Sequence, residues 1–309
     1  MTSSCASEAG LALPDGIDPA RLREVLGPHY QPFVAAGMAA LAHGEHNRRW
    51  LQFGLAPLAG HLPAVHAGLL ELACRLLRDG EATNFFFMHK PPGVRVRFET
   101  TPEHRDALAE VVEAEFAAWA VHLRQASLGR YEPEAELFGG PTSMRYVHSL
   151  FTVDSLAWLA YSCLPDRCPA WVFSLAMVRE MLNGLSIAGW EDLNVWERIK
   201  RQANRGIPAG FDQPKVAAVT AAMRALWADP EPLHQALGPH AAKLAGSRGP
   251  EIREAARQWD AGCFAIGDSV IGPREAAAFA TIFHWNRGLL PAAVQALITG
   301  ALADRSARP

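Results

Sequence analysis

The chain has 309 residues, 50% hydrophobic and 20% charged, the composition of a folded globular protein rather than a disordered one. Its 29 basic and 32 acidic residues give a formal net charge of −3, so bulk charge predicts no nucleic-acid partner. No apolar run reaches the roughly 18 residues of a membrane span, and residues 1–16 lack the basic-then-apolar order of a signal peptide, so a cytoplasmic location is expected.

Helices are expected over 18–25 and 30–42, followed by a short strand over 50–55. Residues 62–77 form a strong helical pattern, with Pro63 in the first turn and Gly80 just past the end. Phe85, Phe86, Phe87 and Met88 make a continuous apolar run, and Pro91-Pro92-Gly93 a turn. Val94, Val96 and Phe98 then alternate with Arg95, Arg97 and Glu99. Period-two alternation marks a half-buried strand, so the two segments read as strands joined by that turn.

Pro102 opens a long helix whose apolar positions, Leu108, Val111, Val112, Phe116, Trp119 and Leu123, step by three and four. Residues 129–134 read as extended, and Gly139-Gly140 as a loop before a helix that starts at Pro141. The remainder is helical, with breaks near Pro165, 206–214, Pro230, 246–250 and 267–272. A helix over 273–287 stops at Gly288, and a last one begins near Pro291. This order predicts an α+β fold, mostly helical with a small antiparallel sheet. The expected organisation is one domain over 1–309: a helical extension over 1–49, the main fold over 50–303 and a frayed tail over 304–309.

The five cysteines, Cys5, Cys74, Cys163, Cys168 and Cys263, follow no zinc spacing and read as reduced, mostly buried thiols. The sequence has no Walker or Rossmann glycine loop, no His-Glu-x-x-His helix and no Gly-x-Ser-x-Gly elbow.

Several clusters carry polar chemistry. Arg95 and Arg97 lie two apart on a strand, so both leave the same sheet face. That pattern describes either a solvated face or a pair of guanidinium groups holding a carboxylate or peptide carbonyls. In the helix after Pro141, Met144, Val147, Phe151, Asp154, Trp158 and Tyr161 share a stripe. Asp154 is a carboxylate on an apolar face and needs a partner, an arginine or a backbone group, whether it serves structure or a site. His148 and Ser155 are seven apart on a neighbouring face, where packing and catalysis are both open. His284, Trp285, Asn286 and Arg287 close a helix, which dipole and capping preferences also explain. Turn chemistry accounts for Gly267-Asp268-Ser269. Tyr131 and Glu134 precede the Gly139-Gly140 loop and can face a cleft.

Four blocks in order, over roughly residues 50–300, resemble the C-terminal elimination domain of class I lanthipeptide dehydratases. They are Phe85-Phe86-Phe87-Met88-His89-Lys90-Pro91-Pro92-Gly93-Val94-Arg95-Val96-Arg97-Phe98; Arg130-Tyr131-Glu132-Pro133-Glu134 with Glu136-Leu137-Phe138-Gly139-Gly140; Phe151-Thr152-Val153-Asp154-Ser155; and His284-Trp285-Asn286-Arg287. Members of that family either eliminate glutamate from glutamylated Ser or Thr, or, as stand-alone proteins of thiopeptide pathways, join two dehydroalanines into a central pyridine. Eliminating members carry an arginine for the glutamyl group in a Glu-Arg-Tyr-Gly-Gly block, where this chain has Leu137. That departure, with the stand-alone length, makes the chain resemble the pyridine synthases of the lantibiotic dehydratase C-terminal and thiopeptide-type bacteriocin biosynthesis family.

The resemblance implies a formal 4+2 aza-cycloaddition in a ribosomal precursor peptide, without metal or organic cofactor. It implies that Arg95 and Arg97 orient peptide carbonyls and that Tyr131, His284 and Ser155 are candidates for proton transfer. Asp154 would anchor an arginine or the peptide backbone, Trp285 stack on azole rings and Arg287 support the site. Glu134 and His148 complete the expected substrate-binding set. The expected partners are the modified precursor with its leader and other enzymes of the pathway, with the chain a monomer or homodimer. Two other readings remain: a glutamyl-eliminating lyase forming dehydroalanine, and a non-catalytic subunit that binds the precursor.

Overall fold

The computed structural model describes residues 19–34, 37, 49–91, 93–202 and 212–304. The chain divides into two units, residues 1–48 and 49–309. In the first, helix α1 spans Pro19–Leu26, a 3-10 turn follows at Gly27–His29, and residues 30–34 are helical. The expected continuation of that second helix to residue 42 falls almost wholly outside the described residues.

The second unit begins with strand β1 (Trp50–Pro57), helix α2 (Leu62–Arg78), strands β2 (Asn84–Lys90) and β3 (Gly93–Glu99), helix α3 (Arg105–Ala118) and strand β4 (Leu123–Gly129). The strands form one antiparallel sheet in the order β2-β3-β1-β4. Among the described residues seven α-helices follow: α4 (Met144–Ser162), α5 (Ala170–Gly184), α6 (Trp190–Gln202), α7 (Gln213–Ala228), α8 (Pro230–Trp259), α9 (Pro273–Arg287) and α10 (Ala292–Leu302). The α+β class is as expected: mostly helical with a small antiparallel sheet. No helix among the described residues is long and apolar enough to cross a membrane.

β2 reads as a continuous apolar run because both of its faces are covered: Phe85, Phe86 and Phe87 are all buried. On one sheet face, Phe53 of β1 meets Phe116 of α3 edge-on with ring centroids 5.3 Å apart, and Phe87 lies 5.7 Å from the His66 ring of α2. The opposite face carries Gln52, Phe86 and Arg97 side by side, since Arg97 is registered with both Phe86 and Gln52. Burying aromatic side chains at about 25 cal/mol per Å² makes this cluster a main source of stability.

Three expectations fail here. Leu123 does not continue the helix after Pro102; α3 stops at Ala118, and Leu123 opens β4. β4 is buried only at Leu123, so it lacks the alternation that marks a strand. It exists because its backbone pairs with β1, a contact distant in sequence. The break expected over 246–250 is also absent. The change in direction is at Gly238, with φ 68° and ψ 173°, and Pro239 starts the following helical segment. Pro250 removes one helical hydrogen bond, yet Ala241, Ile252, Ala256 and Trp259 are buried as α8 packs on α4 and α5. Tertiary packing outweighs the local breaker. The thiols differ as well: of the described cysteines, all unpaired, only Cys263 is buried and Cys163 is exposed.

Candidate functional site

The polar groups of these four blocks meet where the Arg97 face of the sheet adjoins α4 and α9. Arg97 is 6% exposed. Its Nε donates to Gln52 Oε1 at 2.8 Å, and its guanidinium stands over the rings of Phe86 and Tyr131 at 4.8 and 4.7 Å. Ring faces attract a cation most strongly when water is excluded. Burial pushes Arg97 down to about 10, against the opposing influence of Tyr131 and Glu134. It remains charged at neutral pH. Burial raises the Tyr131 phenol above its ordinary value, so Tyr131 stays protonated. Tyr131 Oη lies 2.9 Å from His148 Nε2, and the His148 ring packs 4.4 Å from Trp50.

Behind this pair lies a second buried layer. Asp154 of α4 accepts from Arg287 Nη1 at 2.7 Å, and its other oxygen lies 2.6 Å from His284 Nδ1. A carboxylate at that distance requires the proton on Nδ1. His284 Nε2 lies 3.0 Å from the Ser174 hydroxyl, whose oxygen accepts from Trp285 Nε1 at 3.0 Å. The Trp158 indole N–H also lies 3.0 Å from Nδ1. Burial alone would raise Asp154, but the charges and hydrogen bonds of His284 and Arg287 outweigh it and hold the carboxyl below its ordinary value. Burial pushes Arg287 downward, opposed by Asp154. Arg287 stacks 4.1 Å over Phe151, and its Nε and Nη2 find no partner among the described residues. Unfilled donors on a buried cation are costly unless something accepts from them. The arrangement therefore offers fixed positive charge and N–H donors to an oxygen that enters or develops charge there.

The expected residues separate into three groups. Arg97, Tyr131, His148, Asp154, His284 and Arg287 form the buried polar layers. Arg95 leaves the same face as Arg97 but opens onto a groove of about 290 Å³, with Gln52, Lys90, Ser127 and Arg130 around it. The face is thus neither wholly solvated nor wholly site: it is covered at Arg97 and open at Arg95. Glu134 is exposed and reaches Arg97 only through its charge.

Ser155 and Trp285 do not fit their expected roles. Ser155 is fully buried, and its Oγ accepts from Phe87 N–H at 3.3 Å, while Thr152 Oγ1 accepts from Phe85 N–H at 3.1 Å. α4 thereby satisfies the outer edge of β2 with two hydroxyls, which gives Ser155 a structural task. Trp285 is fully buried, stacked 6.3 Å from Trp196, and cannot meet an azole ring. The helix stops at Gly288 as expected, but not through a left-handed glycine: its φ is −78°, and Leu289 takes the left-handed turn at φ 50°. Glycine is needed at 288 because a Cβ would come within 2.4 Å of the Trp158 ring. By contrast Gly139 and Gly140 do need their freedom, at φ 102° and 109°.

Sequence reasoning missed Gln52, which fixes the Arg97 guanidinium, and Ser174, which joins His284 to Trp285. Ser174 left one signal: it is a lone hydroxyl between Phe173 and Leu175 in an apolar helix.

The family model described as lantibiotic biosynthesis dehydratase C-term matches residues 50–302. No curated protein matches the chain in sequence. Among solved structures, the fold is similar to the tRNA-dependent lantibiotic dehydratase MibB from Microbispora sp. 107891, with a TM-score of 0.61 and 17% sequence identity. The match covers 82% of this chain and 27% of that one, so the chain spans about a quarter of the length of that dehydratase.

Proposed function

The chain belongs to the lantibiotic dehydratase C-terminal family, and we propose that within it the protein is a pyridine synthase acting on a modified ribosomal peptide. Leu137 carries this reading. It stands in the block where glutamate-eliminating members of the family bring a carboxylate-binding arginine. Here it is a partly buried apolar side chain on the 3-10 turn Ala135–Phe138, packed against the hydrophobic core. An apolar residue there suits an uncharged, azole-bearing substrate better than a glutamyl group.

In the proposed reaction one dehydroalanine amide tautomerises to a 2-azadiene, and the alkene of the second adds across it, forming two carbon–carbon bonds. Loss of water and expulsion of the leader as its amide leave an aromatic pyridine. Bringing two alkenes of a flexible peptide together is mainly a positioning task, which supplies roughly 7–11 kcal/mol in favourable intramolecular cases. Arg95 would orient peptide carbonyls in the open groove and Arg97 the oxygen that enters deepest. The protonated phenol of Tyr131, backed by His148, would donate to the amide oxygen as the imidic form develops. Asp154 and His284 would hold Arg287 in place behind it.

A second reading has its own observation. The unfilled Nε and Nη2 of Arg287 are donors that suit a carboxylate, as a glutamyl-eliminating lyase requires. One experiment separates the readings. The protein is incubated with an azole-bearing peptide that carries two dehydroalanines and an intact leader, and with a glutamylated peptide, and masses are followed. A macrocycle lighter by water and the leader amide is expected. Release of glutamate instead would establish the lyase. An unchanged mass with the peptide still bound would favour a binding subunit.

A further inference from the structure

The two edges of the sheet are treated differently. The outer edge of β2 is closed, because Thr152 and Ser155 accept its amides. Among the described residues β4 is the opposite edge, and beyond Leu123 every one of its residues is exposed. An open strand edge presents unpaired N–H and C=O groups and is a template for another strand. Proteins usually blunt such edges; here, grooves flank it on both faces.

On one face lies the groove of about 290 Å³, whose floor is built of small residues, Gly54, Ala56 and Gly129, and whose charged lining is Lys90, Arg95 and Arg130 with no acid among them. On the other face lies a groove of about 370 Å³ lined mainly by Phe53, Phe116, Ala117, Ala120, Leu123 and Leu128, with Glu113 and Arg124 as its one acid and one base. Successive side chains of a strand point to opposite faces. A strand laid along β4 would place alternate side chains in a basic trough and in a mainly apolar one without net charge.

We propose that the free edge of β4 binds a segment of the peptide substrate as a fifth strand, the segment being an extended stretch in which acidic and apolar side chains alternate. The inference rests on the peptide-substrate reading above. Main-chain hydrogen bonds along the edge supply affinity, and the two grooves supply the register. A second copy of the chain is a poorer occupant. Antiparallel pairing of two β4 edges would continue each basic face with its own duplicate, and like charges would face one another.

The test uses the full-length protein, the leader-bearing precursor and a synthetic decapeptide alternating Leu and Glu. Hydrogen exchange is measured with and without each peptide. The precursor is expected to protect amides in residues 123–129, and the decapeptide to compete for the same edge. A decapeptide N-methylated at alternate residues, which lacks the donors of one edge, is expected not to compete. The double variant K90E/R130E alters two exposed side chains and is expected to weaken precursor binding by about tenfold or more, following the loss of two charge contacts. Precursor binding and turnover without protection of β4 would overturn the edge site and leave the peptide-substrate reading standing. Absence of binding by either peptide would overturn both. Protection of β4 that grows with protein concentration alone, with a dimer in sedimentation, would overturn the proposal in favour of self-pairing.

Discussion

Replacing Asp154 with Asn keeps the shape of the side chain and removes its charge. Asp154 is 5% exposed and serves two cationic or N–H partners, His284 at 2.6 Å and Arg287 at 2.7 Å. An Asn side chain turns its NH₂ towards one of these donors and leaves the Arg287 charge uncompensated. Two of the Arg287 nitrogens already lack partners among the described residues. Breaking a buried pair by removing one member costs about 3–5 kcal/mol. At about 2 °C per kcal/mol for a large domain, Tm should fall by about 6–10 °C. The Asp154 carboxyl is held below its ordinary value in the fold. Its contribution is therefore present above the unfolded carboxyl pKa of about 3.9 and lost as pH falls through the folded value. Urea denaturation followed by circular dichroism should show a wild-type advantage that is constant from about pH 7 to 5 and shrinks only below about pH 4. The double variant D154N/R287M, which removes both charges, should lose less than the sum of the single losses. A single-variant loss under about 1 kcal/mol, or strict additivity in the double variant, would refute the picture of a buried, mutually dependent pair.

Three further outcomes follow from other parts of the structure. Ser155→Ala leaves the buried Phe87 N–H without its acceptor; denaturation should show a loss of about 1–3 kcal/mol, while turnover per folded molecule stays unchanged. His66 is buried and held down to about 4 by burial, then by the charges of His89 and Arg167. The unfolded chain therefore binds the extra proton first, and stability falls as pH drops from about 6.5 to about 4, by at most about 3 kcal/mol from this residue; His66→Gln should flatten that part of the stability profile. Gly288→Ala places a Cβ 2.4 Å from the Trp158 ring; thermal denaturation should show an overpacking loss of about 1–3 kcal/mol, although the backbone at 288 suits any residue.

β3 was legible because Val94, Val96 and Phe98 alternate with polar residues, and alternation is a local consequence of one buried face. The helix over 273–287 was legible for the same kind of reason, from Pro273 at its start and Gly288 at its end. β4 was not: an edge strand needs no apolar alternation, and only pairing with β1 makes it a strand. The continuity of α8 through Pro250 was decided by packing on α4 and α5, which no local rule contains. In the site, chemistry was more readable than partnership. That Asp154 on an apolar face needs a cation follows from the cost of burying a charge. That the partners are His284 and Arg287, 130 and 133 residues away, follows only from the fold. Ser155 and Trp285 carried polar or aromatic groups at inviting positions, yet burial turned one into the acceptor for a strand edge and the other into core. The sequence by itself determined which side chains could do chemistry; the tertiary structure decided which of them are buried together and which open onto a groove, because burial depends on what distant segments pack over each group.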